Sequence, residues 1–236
     1  VLLCAGWSAP AAAETSEPAP LAAKSLLLDV TRAGYKLVAV GDRGHVLLSA
    51  DEGRTWNQVT APTRAMLTGV AFADASHGWA VGHDGTILAS ADGGQTWTRA
   101  DDGRDLETVY LDVCFLDAKT GFIVGAYGKF LRTDDGGRTW QPARPHAEET
   151  HYNRIVAAEG RLYLAGEAGL LLSSADRGRT WQSVALPYEG SLFAIIPLEN
   201  DRAVVAGLRG HILVGSVRSG EWKDKDGEIK ALVSGG

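Results

Sequence analysis

The chain has 236 residues, 45% of them hydrophobic and 22% charged, with a formal net charge of −6. That apolar content is enough to bury a core, and the acidic balance provides no overall basic field to hold nucleic acid. Its 29 glycines and seven tryptophans point to short strands joined by turns, not to helices.

In chain order, the apolar, uncharged segment Val1–Ala13 ends in Ala11-Ala12-Ala13. It reads as the tail of a secretory signal peptide with a cleavage site before Glu14, which places the protein in the periplasm or another exported compartment. Cleavage leaves Cys114 alone, so no internal disulfide is expected. No uncharged apolar run reaches the length of a membrane-spanning helix. Residues 14–25, rich in proline, alanine and glutamate, read as a linker.

One pattern organises residues 26–236. It runs Ser49-Ala-Asp51-Glu-Gly53-Arg-Thr55-Trp56 and recurs at Ser90–Trp97, Thr133–Trp140 and Ser174–Trp181. A worn fifth copy ends at Trp222, with Val217 in place of the aspartate. The tryptophans are 41, 43, 41 and 41 residues apart. A second marker, Gly-x-x-Gly, precedes each box at 41/44, 82/85, 125/128, 166/169 and 207/210. Two markers in phase at a period near 40, with strand-like content between them, predict the four-stranded antiparallel blades of a β-propeller. Five blades end near Trp56, Trp97, Trp140, Trp181 and Trp222, and a sixth begins after residue 223. In the second unit the predicted strands are 67–72, 78–81, 86–89 and 96–99.

The box residues have an architectural chemistry. A short carboxylate at Asp51, Asp92, Asp135 or Asp176 can accept hydrogen bonds from its own turn. The rings of Trp56, Trp97, Trp140 and Trp181 can pack between strands. Four equivalent aspartates on separate blades cannot share a substrate, so they are read as structural, with no catalytic residue, metal or cofactor. The position after the second marker glycine holds His45, Thr86, Lys129, Leu170 and His211. A site accepting all of these is expected to be exposed and not a metal ligand. Cys114 aligns with Ala71 on an inner strand and reads as a small buried filler.

The boxes match the Asp-box, or bacterial neuraminidase, repeat. The fuller unit, Leu67-Thr-Gly-Val-Ala-Phe-Ala-Asp74 followed by Gly78–Gly82, Gly85–Leu88 and the box, resembles the photosystem II stability and assembly factor family and its relatives in non-photosynthetic bacteria. The resemblance covers roughly residues 26–222. It implies a seven-bladed, cofactor-free propeller on the exported side that serves as a scaffold on membrane-protein complexes. On that reading the five blades here are part of a larger ring.

Recognition is then left to the loops entering the inner strands, which carry Arg64, Glu107, Tyr110, His151, Tyr152, Arg154, Tyr188 and Glu189. Tyrosine and arginine are common anchors of protein interfaces. The expected partner is a protein, either a membrane protein or a complex containing one, with no small-molecule substrate. The rival is a sialidase-like glycoside hydrolase, which needs an arginine cluster, a tyrosine nucleophile and an acid/base carboxylate. Arg154-Ile155 is followed by Val156, not by the proline of the sialidase signature, and the even spacing leaves little room for catalytic insertions. A lectin propeller would repeat one aromatic pair in every blade, whereas these loops differ.

Overall fold

The computed structural model describes residues 14–100 and 106–225. The segment read as a signal-peptide remnant and Gly227–Gly236, read as the start of a sixth blade, lie outside them. The described chain forms five four-stranded antiparallel sheets, each joined in sequence order. Blade 1 consists of Leu27–Ala33, Lys36–Gly41, Val46–Ser49 and Asn57–Val59. Blade 2 consists of Leu67–Phe72, Gly78–Gly82, Ile87–Ser90 and Thr98–Arg99. The inner strands of blades 3, 4 and 5 are Tyr110–Phe115, Tyr152–Ala158 and Leu192–Leu198. The fourth strand of blade 2 is shorter than the 96–99 expected, because Thr96 is held in the box turn by Asp92.

The Gly-x-x-Gly marker has a different cause at each glycine. Every inner strand carries a register shift near its start, as between Leu67 and Gly69. This shift pushes the carbonyl of Met66 against the second strand, and a Cβ on Gly82 would lie 2.0 Å from that oxygen. The freed carbonyl accepts the N–H of His83 at 2.9 Å. The second glycine closes the hairpin: Asp84 and Gly85 both have positive φ, 56° and 59°, and Thr86 N–H donates to His83 O at 3.1 Å. This is a turn whose twist suits adjacent antiparallel strands.

Blades pack through the box tryptophans. Trp97 sits among Val38, Val40 and Val46 of blade 1 and Leu67 and Val70 of blade 2. Trp181 packs with Phe122, Val124 and Phe130 of blade 3. Trp222 packs with Tyr163, Ala165 and Leu171 of blade 4. Each large ring thus fills the space between its own sheet and the one before it, where burial of an aromatic contributes most.

Among the described residues no sheet precedes blade 1, and residues 14–25 pack on that side. Read from sequence as a linker, this segment is docked. Ser16 N–H donates to Ala61 O at 2.8 Å, and Ala61 N–H donates back to Ser16 Oγ at 2.9 Å. Ala19 and Ala22 pack with Trp56, Ala39 and Leu47. Small alanines let the segment lie close to the sheet. The cover stops short of the inner strand. Val30 is 55% exposed, whereas its equivalents Val70, Val113, Ile155 and Ile195 are 2–4% exposed against the preceding blade.

Candidate functional site

The box aspartates are committed to their own hairpins. Asp51 Oδ1 accepts Thr55 N–H at 2.9 Å and Ser49 Oγ–H at 2.8 Å, and Oδ2 accepts Thr55 Oγ1–H at 2.6 Å. The same three bonds recur at Asp92, Asp135 and Asp176. The hydroxyl of Ser49 also accepts Gly53 N–H at 2.7 Å. The bonds from Thr55 and Ser49 hold the Asp51 carboxyl down at about 2, because hydrogen bonds to the ionised form favour it. Such a carboxylate is a poor proton shuttle near neutral pH. In the fifth blade Val217 makes no such bonds. Its hairpin is closed by Ser219 N–H to Ser216 Oγ at 3.1 Å and by Gly220 N–H to Ser216 O at 3.0 Å, and Val217 N–H ties it to Asp201 O in the neighbouring turn at 2.8 Å.

The loops entering the inner strands present a divided set. Arg64, Glu107 and Glu189 are exposed, and His151 and Tyr188 are half-buried. Arg64 pairs with Glu17 of the docked N-terminal segment at 3.1 Å. His151 packs edge-on to Tyr127, ring centroids 4.7 Å apart, with Glu167 Oε1 3.5 Å from its Nδ1. The Tyr188 hydroxyl donates to Leu208 O at 3.0 Å, and its ring lies 4.9 Å from that of His211.

Three of the loop residues are corrected by the structure. Tyr110 and Tyr152 are 9% and 1% exposed and belong to the inter-blade cores. The chain enters its inner strand one residue before the bulge, and that position points inward, as Leu67 and Leu192 show. Arg154 points towards the inner strands of blades 1 and 3, 3.3 Å from Asp29 Oδ1 and 3.5 Å from Asp112 Oδ2. Sequence reasoning missed both aspartates. Their signal was the same Leu-Asp-Val triplet on two inner strands, at residues 28–30 and 111–113.

The position after the second marker glycine is corrected in two blades only: Lys129 is exposed and Leu170 and His211 are half-buried, but His45 and Thr86 are buried; His45 Nδ1 lies 2.9 Å from Ser25 Oγ. Cys114 is buried and free. Burial first, and then the Asp112 charge, push its thiol up to about 12. No group of histidine, cysteine, aspartate or glutamate among the described residues is arranged to hold a metal ion. No described helix is long and apolar enough to cross a membrane.

Compared with known families, the chain matches the model described as photosynthesis system II assembly factor YCF48 over residues 48–106 and 100–231. The chain belongs to this family. No curated protein matches it in a sequence comparison. Among solved structures, YCF48 from Cyanidioschyzon merolae is similar with a TM-score of 0.57 and 20% identity, covering 68% of this chain and 56% of that one. The chain therefore spans little more than half of that relative. A structure described as YCF48 bound to D1 peptide aligns over 84% of this chain and 80% of its own, with a TM-score of 0.51 and 16% identity. The GH74 enzyme of Niastella koreensis has a TM-score of 0.66 and 17% identity over 81% of this chain, but only 36% of the enzyme. At such identities these likenesses show a shared propeller fold and nothing of shared chemistry.

Proposed function

We propose that the chain is a non-catalytic scaffold that binds a protein partner, in the manner of a photosystem II assembly factor, and that it works on a membrane-protein complex on the exported side. The observation that carries this is the family match over most of the repeat array. The structure described as YCF48 bound to D1 peptide supports a protein segment as the kind of ligand to expect. The chemistry agrees. The repeated aspartates are used up in their own turns, and the residues that vary from blade to blade sit in the loops entering the inner strands. Arg64, Glu107, His151, Tyr188 and Glu189 are the proposed contacts, because they are loop residues with accessible polar atoms. The apolar segment Val1–Ala13, ending in Ala-x-Ala, supports export.

The test is titration of a fluorescent D1 peptide with the full chain, followed by anisotropy, with a scrambled peptide as control. Saturable binding of the D1 peptide alone, weakened in an Arg64→Glu, Glu189→Arg variant, supports the proposal. Equal binding of both peptides, or none, refutes the photosystem-type partner. Sustained turnover of a fluorogenic sialoside would replace the scaffold with a hydrolase.

A further inference from the structure

The first inner-strand position after the bulge is occupied by Asp29, Gly69, Asp112, Arg154 and Ala194 in blades 1 to 5. Asp29, Asp112 and Arg154 line one cavity between the inner strands of blades 1 to 4. The side chains of Asp29 and Asp112 are 9% and 3% exposed, and that of Arg154 is 21% exposed. Each carboxylate also bonds the backbone of the following blade. Asp29 Oδ2 accepts Val70 N–H at 2.9 Å, and Asp112 Oδ2 accepts Ile155 N–H at 2.8 Å. Blade 2 gives way to this arrangement: a Cβ on Gly69 would lie 3.0 Å from the Asp112 Cα.

In a row of repeats each unit packs on its neighbours only. The inner strands here follow that rule, blade 1 on 2, 2 on 3, 3 on 4 and 4 on 5. The Arg154–Asp29 pair departs from it, since it joins blade 4 to blade 1 across 125 residues of chain. Arg154 also reaches Asp112 of blade 3, so one guanidinium ties three blades together. Its planar fork suits two carboxylates approached from different sides. Breaking such a buried pair from one side leaves a charge without compensation.

We propose that Arg154 is a clasp between the inner strands of blades 1, 3 and 4 that fixes how tightly the row of blades curls. Sheet packing sets the angle between neighbours, and small errors in that angle accumulate over three interfaces. The Arg154–Asp29 tie removes that freedom by joining the ends of the first four blades.

The test places nitroxide labels at two exposed positions of the full chain, Ala50→Cys on blade 1 and Ser183→Cys on blade 4. The background is Cys4→Ser, with Cys114 verified as unlabelled. Double electron–electron resonance then reads the distance between the two blades. Arg154→Leu is expected to shift the distribution to longer distances and broaden it, with the strand signal in circular dichroism unchanged. Should that variant fail to fold, Asp29→Asn keeps an acceptor for Val70 N–H while removing the charge, and the same shift is expected. An unaltered distribution in either folded variant would overturn the clasp.

Discussion

The indole of Trp79 in blade 2 lies over the ring of Phe115 in blade 3, centroids 3.7 Å apart and 13° from parallel. The hairpin of the blade 3 box closes on the same indole, with Gly137 directly against it. A Cβ there would stand 2.2 Å from Trp79 Nε1, and Gly137 has φ +74°. Gly137→Ala is therefore expected to cost about 1–3 kcal/mol from overpacking, with the left-handed backbone adding about 1 kcal/mol. Gly160→Ala is the control. Its φ is +76°, but nothing lies within 4 Å of the added atom, so only the backbone cost remains. Urea melts of the two variants should differ; equal losses would show that the box hairpin is not wedged against the preceding blade.

The open side of blade 1 gives a second comparison. Ile155 and Val30 hold equivalent positions, at 2% and 55% exposure. Ile155→Ala should destabilise by about 2–5 kcal/mol, since it empties a packed inter-blade core. Val30→Ala should stay within about 0.5 kcal/mol, as surface changes do. Thermal melts of the full chain would decide it, and a large loss at Val30 would mean that something covers that face in solution.

The blades were legible because their causes are local. The Gly82–Gly85 turn and the Asp92 box are set by φ angles and by bonds spanning four residues, which a repeating sequence displays directly. What stayed hidden depends on atoms far apart in the chain. Nothing near Tyr152 reveals that its ring is enclosed by Phe130 of the previous blade. Nothing near Arg154 reveals Asp29. His45 looked interchangeable with Lys129, yet it is buried beside Ser25 because residues 14–25 turn back over blade 1. Among the loop residues, sequence identified those with suitable chemistry, and only packing separated the accessible Arg64 and Glu189 from the enclosed tyrosines.

Cys114 is expected to be inert. Its thiol is buried and held at about 12, so the reactive thiolate is almost absent at mildly alkaline pH. Iodoacetamide added to the native chain, followed by peptide mass mapping, should leave Cys114 unmodified and label it only after denaturant. Rapid native labelling would show that the interface between blades 3 and 4 opens readily.

Two sets of carboxylates act on stability in opposite directions. Backbone and side-chain bonds from Thr139 hold Asp135 at about 2, below its ordinary 3.8, and the bonds from Thr55 and Ser49 do the same for Asp51. A lowered folded value means stabilisation that is present above the ordinary carboxylate range and lost as pH falls from about 4 towards 2. Asp112 runs the other way. Burial, only partly offset by Arg154 and reinforced by Asp29, raises it to about 7. Its contribution is full below the ordinary range and is lost as pH rises from about 4 through about 7, as a charge forms among the buried inner strands. Urea midpoints should therefore be highest at about pH 4 and fall on either side, towards about 2 and towards about 7. Asp112→Asn should flatten the fall between about 4 and 7 and leave the acid limb in place, while Asp51→Asn should make the acid limb shallower. A fall between about 4 and 7 that persists in Asp112→Asn would assign that loss to another group.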